Sequence, residues 1–568
     1  MKSQYLFAKD FIFLVPIALI IGAGLAALQS PPFWVGWLGF SALLLLGLIG
    51  MIVLWRWAGS GKALAWMTGL ALLLRLASGV AVYIALPING HNVPDDKAGF
   101  VFTDAHRRDD QAWQLASSGQ SLFAAFDKTY YTDQYGGLLA LSALTYKVFS
   151  PDAHRPLLIL LLAALTAALG VPFFYKATRL LWDPSPSLTV RAAVGGLCAT
   201  NSGGGAMAPR DGRTGSRLAL FASWLFVLYP ESILTGGAQM REPFLLTFIA
   251  MALWGFAAWL KQGENQTEGS SNRSSFIWMG AALIGMLLVS PAMALALIVL
   301  FVGWLWLRGE HKRLPVSVLV GVGVAFFVGI LFLSWSLARQ NDFGGGSAIA
   351  AVLNWPRHSV LYVIHQLKSG SGQIQNVFSK MNPLMQFLFV VGYGITQPVL
   401  PPAFFEPTTL TWHIIAIFRS IGWYIMLPLL IYAPIAAWRS APGRERRLWL
   451  WLTAFVWMWI LIADIRAGGS QWDNPRYRLI FFGIEALVIG YAWLWWRDHR
   501  DSWLPRILAL EVLCVLLYGQ WYVARYVTKS LSMHLPIMVV LLISLVLAAL
   551  IFAGGWAWDR WRGAKKRA

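Results

Sequence analysis

The sequence predicts an all-α, polytopic membrane protein, and three observations carry that prediction. The chain is 58% hydrophobic and only 12% charged, against roughly 25% charged residues in soluble proteins. Its mean hydropathy is +0.59. Apolar runs near the roughly 20 residues that cross a bilayer recur along its whole length, separated by short basic clusters. The net charge of +19 is dispersed into those clusters. That pattern encodes topology rather than nucleic-acid binding, with anionic lipid headgroups as the ordinary partners of the cations. The two cysteines, Cys198 and Cys514, suggest no disulfide framework or zinc site. No soluble domain of ordinary size is expected, and nothing in the sequence fixes an oligomeric state.

Taken in order, spans are expected at 11–28, 33–55 and 63–86. Lys2 and Lys9 precede the first, and Arg56 and Lys62 separate the second from the third, so both of these ends face the cytoplasm. The first run has no convincing small-residue cleavage site after it and reads as a retained span rather than a signal peptide. The third span delivers a polar stretch to the outside, followed by an interfacial helix over 136–150 and a return span at 156–181. A glycine-rich cytoplasmic loop, 182–216, then reads as a flexible insertion. Next come an outward span at 218–236, an inward one to Leu260, and a hairpin of two short apolar helices broken around Ser290 and Pro291. The chain leaves again from Val316 into a mostly external region, 339–409. Five further spans, 421–438, 448–463, 479–496, 507–523 and 536–558, bring the total to fourteen. The linkers RSAPGRERR and RDHRD and the tail RWRGAKKR fall on the cytoplasmic side, with both termini inside.

The polar stretch 100–135 concentrates chemistry, with Asp104, Asp109, Asp110, Asp127 and Asp133 among the chain's 26 acidic residues. From Asp109 onward Ala112, Leu115, Ala116 and Gly119 share a helical face expected to rest on the membrane, and Asp104 precedes that helix. A helix N-terminus stabilises an ionised carboxylate, which at a water–membrane interface can act as general base towards a hydroxyl. The plain alternative is a helix cap or a solvated acid. Two further groups are expected on the same side: Arg241 with Glu242 before an inward span, and DNPRYR, carrying Asp473, Arg476 and Arg478, before the span from Leu479. Paired guanidinium groups suit a phosphate because their donors form a planar fork, although arginines there can also serve as interfacial anchors. Arg75 stands mid-span in LALLLRLASG. At a cost of about 2.5 to 3.5 kcal/mol for a central charge, it must face the protein interior or a wet cavity.

These motifs together resemble the membrane-embedded GT-C glycosyltransferases, in particular the group of protein O-mannosyltransferases, lipid A aminoarabinose transferases and bacterial relatives. That family's D-A/E-x-x-Y motif and following A-x-x-L-x-x-G helix match Asp104, Ala105, His106, Arg107, Arg108 and then Ala112, Leu115 and Gly119. YTDQYGGLLALSALTYKVFS, YPESILTGGAQMREPFLLTFIAMALWGF and NPRYRLIFFGIEALVIGYAWL are similar to later family segments, in the same order and over 72–496. Arg108 replaces the usual aromatic, and Gln134 stands where many relatives carry a lysine near the donor phosphate.

The resemblance implies a GT-C helical bundle over 63–500 with a first external loop at 87–155, two extra N-terminal spans in 1–62, and two C-terminal spans and a basic tail in 501–568. It implies transfer of a sugar from a polyprenyl-phosphate donor to a hydroxyl acceptor at the extracytoplasmic face, with inversion, in a membrane of the bacterial inner type. Asp104 and Glu242 become the catalytic pair, and Arg476, Arg478 and Arg241 the donor-phosphate ligands. Asp109, Asp110, Asp133, Gln134 and Tyr135 are secondary candidates. No cofactor is required by the resemblance, but a divalent metal, Mg or Mn, held by Asp104 and Glu242 is compatible with it. A flippase or transporter of lipid-linked saccharides, and a polymerase or ligase of O-antigen type, remain alternatives.

Overall fold

The computed structural model describes residues 8–127, 129–130, 135–182, 213–265, 273–309, 378–529 and 535–565, with isolated positions between 321 and 331. Among these residues the protein is helical throughout, and it is an integral, multi-pass membrane protein. Ten helices are long and apolar enough to cross a membrane, or twelve if each of two sharply bent helix pairs counts as one span. Most of the span expected from Val316, the glycine-rich loop at 183–212 and the first part of the external region, 339–377, lie outside the described residues.

Helices α1 (Ala8–Ala27), α2 (Phe33–Trp57) and α3 (Lys62–Asn89) open the chain. A strap with a short helix, α4 (Pro94–Lys97), leads to α5 (Thr103–Ser117), α6 (Gly137–Phe149) and α7 (Leu157–Trp182). After the undescribed loop come α8 (Arg213–Leu228), α9 (Pro230–Gly236), α10 (Glu242–Asn265), α11 (Arg273–Val289) and α12 (Pro291–Arg308). The rest comprises α13 (Pro383–Ile395), α14 (Leu400–Phe405), α15 (Leu410–Arg439), α16 (Arg444–Ala467), α17 (Asp473–Leu479), α18 (Phe482–His499), α19 (Trp503–Tyr522), α20 (Ile537–Ala549) and α21 (Gly555–Lys565). Helices α7 and α10 are the most buried of the long apolar helices and pack on each other at the centre, with the charged side chains Lys176 and Arg179 in α7 and Glu242 and Lys261 in α10 towards their ends. Large side chains such as Ile12, Phe13, Trp66 and Leu542 point outward from the spans, as lipid-facing residues do.

The expected outward span at 218–236 is in fact broken, with α8 and α9 meeting at 54°. The cause is Pro230, which lacks the N–H that would pair with the carbonyl of Phe226. Arg75 resolves the defect: its Nη2 donates to Phe226 O at 3.2 Å and to Ser232 Oγ at 2.7 Å, and its Nη1 to Val227 O at 3.3 Å. The mid-span arginine is therefore a cap for an interrupted helix, wholly buried among its acceptors. Arg75→Met leaves those carbonyls buried without a donor, at roughly 1 to 3 kcal/mol per group. The variant should melt at a clearly lower temperature in detergent than the wild type.

Three other expectations are corrected. Helix α15 begins at Leu410, about three turns before the expected start at Ile421. Helix α5 begins at Thr103, so Asp104 sits inside its first turn rather than ahead of it. The Ala112 and Leu115 face rests on Leu139, Ala143 and Tyr146 of α6, not on the membrane. A second bend, of 77°, separates α17 from α18.

Candidate active site

Phe102, in an extended conformation, precedes the first turn of α5 and anchors it by packing with Leu86, Phe100, Leu234, Met240 and Trp412. Thr103 Oγ1 donates to Asp95 Oδ2 at 2.6 Å, tying the same turn to the strap. Asp104 is thereby presented to solvent beside the N-terminal dipole, its side chain 55% exposed. Glu242 opens α10 and is fully buried, with neither carboxylate oxygen hydrogen-bonded. Arg476, on the seven-residue α17, reaches both: its Nη2 lies 3.2 Å from Asp104 Oδ2 and its Nε 3.5 Å from Glu242 Oε1. The same Nη2 is 3.1 Å from Asp473 Oδ1, and the guanidinium sits over the rings of Phe102 and Tyr477.

Three stretches far apart in the chain thus converge on one guanidinium. Arg241 Nε lies 3.9 Å from Glu242 Oε1, and Tyr135 and Tyr477 act on its charge. Arg108 is buried and donates to Gln239 O at 3.0 Å. Burial pushes the Asp104 carboxyl up, but Arg476, Arg108 and Arg241 outweigh it and hold it below its ordinary value of 3.8. Folding therefore gains from Asp104 above that ordinary value and loses the gain as pH falls through the lower folded one. Glu242 is the opposite case, a buried carboxylate facing cations without a hydrogen bond, an arrangement costly unless a ligand completes it.

The other expected site residues are placed elsewhere. Arg478 is buried, donates to the backbone carbonyls of Ile395 and Gln397 and stacks 3.6 Å from the Trp423 ring centre, so its donors are directed at backbone rather than at the cluster. Asp109 is turned to the far side of α5, held by Tyr146 and by His154 Nε2 at 2.7 Å, and Asp110 is half exposed beside His106. Asp133 and Gln134 lie outside the described residues.

Sequence reasoning missed the support of the site. Arg419 of α15 pairs with Glu231 of α9 through two bonds, of 2.5 and 2.9 Å, and its Nη2 donates to Trp472 O just before α17. Trp472 packs on Trp412, whose indole N–H donates to Asp96 in the strap at 2.7 Å. One buried arginine thereby ties the segments that lead to Glu242, Arg476 and Asp104. A charge within an apolar run was the available signal, as it was for Arg75. Behind Phe102 a small apolar cavity of about 30 Å³, lined in part by Val82, Tyr83, Ala105 and Leu160, has room for water but not for a lipid chain.

No protein-family model and no curated protein matches the chain. Among solved structures it is similar to the archaeal oligosaccharyltransferase AglB from Archaeoglobus fulgidus in complex with an inhibitory peptide and a dolichol-phosphate, with a TM-score of 0.40 and 13% identity. That likeness covers 87% of this chain and 54% of the other, so the chain spans about half the length of that protein.

Proposed function

We propose that the protein transfers a sugar from a polyprenyl-phosphate-linked donor to a hydroxyl acceptor at the extracytoplasmic membrane face. The observation that carries this reading is the meeting of Asp104 and Glu242 on Arg476, a half-exposed acid and a buried one sharing a guanidinium. The ordered motifs that resemble the GT-C glycosyltransferases support it, and the positive-inside distribution of basic clusters supports the choice of face.

In the proposed reaction Asp104 takes the proton of the acceptor hydroxyl. The oxygen then attacks the anomeric carbon, the bond to the donor phosphate oxygen breaks from the opposite side, and the configuration inverts. The electron pair leaves with the polyprenyl phosphate, whose charge Arg476 and Arg241 offset. Glu242 orients the acceptor or the guanidinium. Arg478, committed to backbone carbonyls, supports the fold of the site instead of binding phosphate. Asp104 and Glu242, the latter with oxygens that face Arg476 and Arg241 but accept no hydrogen bond, are the hard-oxygen ligands that would hold Mg or Mn, which would supply further charge compensation to the phosphate.

The test is transfer from labelled polyprenyl-phosphate sugars by membranes containing equal amounts of wild type or Asp104→Asn. Transfer by the wild type and its loss in the variant are expected. Undiminished transfer by the variant would remove Asp104 as the base, and flipping of the lipid-linked saccharide without transfer would favour a transporter.

The electrostatics add a further expectation. Arg476→Gln removes the largest charge effect that lowers the Asp104 carboxyl. The acid limb of the variant's pH–rate profile should move to higher pH than that of the wild type, alongside an overall loss of rate. A limb that stays in place would dissociate Arg476 from the base.

A further inference from the structure

On the side of α5 facing away from Arg476, the structure brings together a second set of ligating atoms. Asp109, Asp110 and His154 each offer one such atom, and the three atoms lie within 4.8 Å of one another. Asp109 is buried, with one oxygen accepting from the Tyr146 hydroxyl and the other 2.7 Å from His154 Nε2. The His154 ring is fixed by stacking on Trp113, with centres 5.5 Å apart and planes 12° from parallel.

A simple hydrogen-bonded pair would account for Asp109 and His154 but not for a fourth residue. His106 is oriented by its Nδ1, 2.7 Å from Asp95 Oδ1, and by stacking on Phe100. Its remaining nitrogen, Nε2, is aimed at Asp110 Oδ2 from 3.6 Å, beyond hydrogen-bond reach. A carboxylate that holds one ring nitrogen and presents the other is the arrangement by which proteins fix a metal-binding histidine.

We propose that Asp109, Asp110 and His154, with His106 as the fourth ligand, form a binding site for a zinc-class divalent cation. Two imidazole nitrogens and two carboxylate oxygens match the tetrahedral preference of zinc better than the oxygen octahedron of magnesium. Ligands about 2.0–2.2 Å from a tetrahedral ion lie roughly 3.4 Å apart, so Asp109, Asp110 and His154, already within 4.8 Å of one another, form the core of the site, and His106, which reaches only Asp110 in this arrangement, completes it by moving towards the ion together with the half-exposed Asp110. The ion would staple α5 to the loop before α7, fixing the helix whose first turn carries Asp104. The site requires no cysteine and is independent of the proposed sugar transfer.

The test uses full-length protein in detergent, stripped with chelator, dialysed against Zn²⁺ and assayed for bound metal, with thermal melting as a check of folding. One zinc per chain is expected, unaffected by excess Mg²⁺. Asp110→Asn and His154→Gln, both at partly exposed side chains, should each reduce retained zinc at least tenfold, whereas Asp104→Asn should retain it. Co²⁺ should give the intense visible absorption of a tetrahedral site in the wild type and not in His154→Gln. Folded wild type that binds no zinc would overturn the proposal. So would unchanged zinc in both variants, or zinc lost with Asp104→Asn but kept with His154→Gln.

Discussion

Asp104→Asn is expected to slow sugar transfer by about 10²- to 10⁴-fold, the range over which a positioned general base contributes. The substitution keeps size and polarity but removes both the proton acceptor and the negative charge facing Arg476. Donor binding should survive or tighten, because the guanidinium loses one of its carboxylate partners. The readout is therefore a split: a steep fall in kcat with KM for the donor unchanged or lower. Because Arg476, Arg108 and Arg241 hold the wild-type carboxyl below its ordinary value of 3.8, the acid limb of the wild-type rate should lie below that value in the free enzyme. A low value also makes a weak base, and a donor phosphate that draws Arg476 away would raise it towards the range in which proton removal is effective.

The largest loss of stability is expected from breaking the Glu231–Arg419 pair. Both side chains are almost wholly buried, and removing one partner of such a pair costs about 3 to 5 kcal/mol because the other is left charged and uncompensated. Arg419→Met also deprives Trp472 O of its donor. Glu231→Leu and Arg419→Met should each lower the melting temperature in detergent markedly. The double variant Glu231→Leu with Arg419→Met should recover much of the loss, since an apolar pair of similar volume often replaces a buried ion pair without penalty. If the two single effects simply add in the double variant, the pair is not the unit of stability inferred from its geometry.

Among the described residues the long apolar helices were legible because the bilayer imposes one requirement, length and apolarity, that composition reports directly. The start of α15 was not, because His413 and Arg419 interrupt the apolar run, and only the distant Glu231 makes an arginine tolerable there. The break at Pro230 was equally hidden: a proline within an apolar run can bend a helix or end it, and the outcome depended on Arg75 as a remote donor. At the site, Asp104, Glu242, Arg241 and Arg476 could each be singled out from charge beside an apolar run. Which arginine of RYR would meet the acids could not be read, because it depends on the direction in which the short helix α17 presents two residues of the same type. The structural role of Arg478 depends on carbonyls some 80 residues away, beyond any local pattern.

The cap formed by Arg75 also sets a timetable for biogenesis. The arginine enters with the third span, whereas its acceptor at Phe226 follows 151 residues later. At synthesis rates of about 5–20 residues per second, roughly 8 to 30 s separate the two. During that interval the guanidinium has only the Ala71 carbonyl of its own helix as a native acceptor, so its full set of partners is completed only when the broken helix emerges.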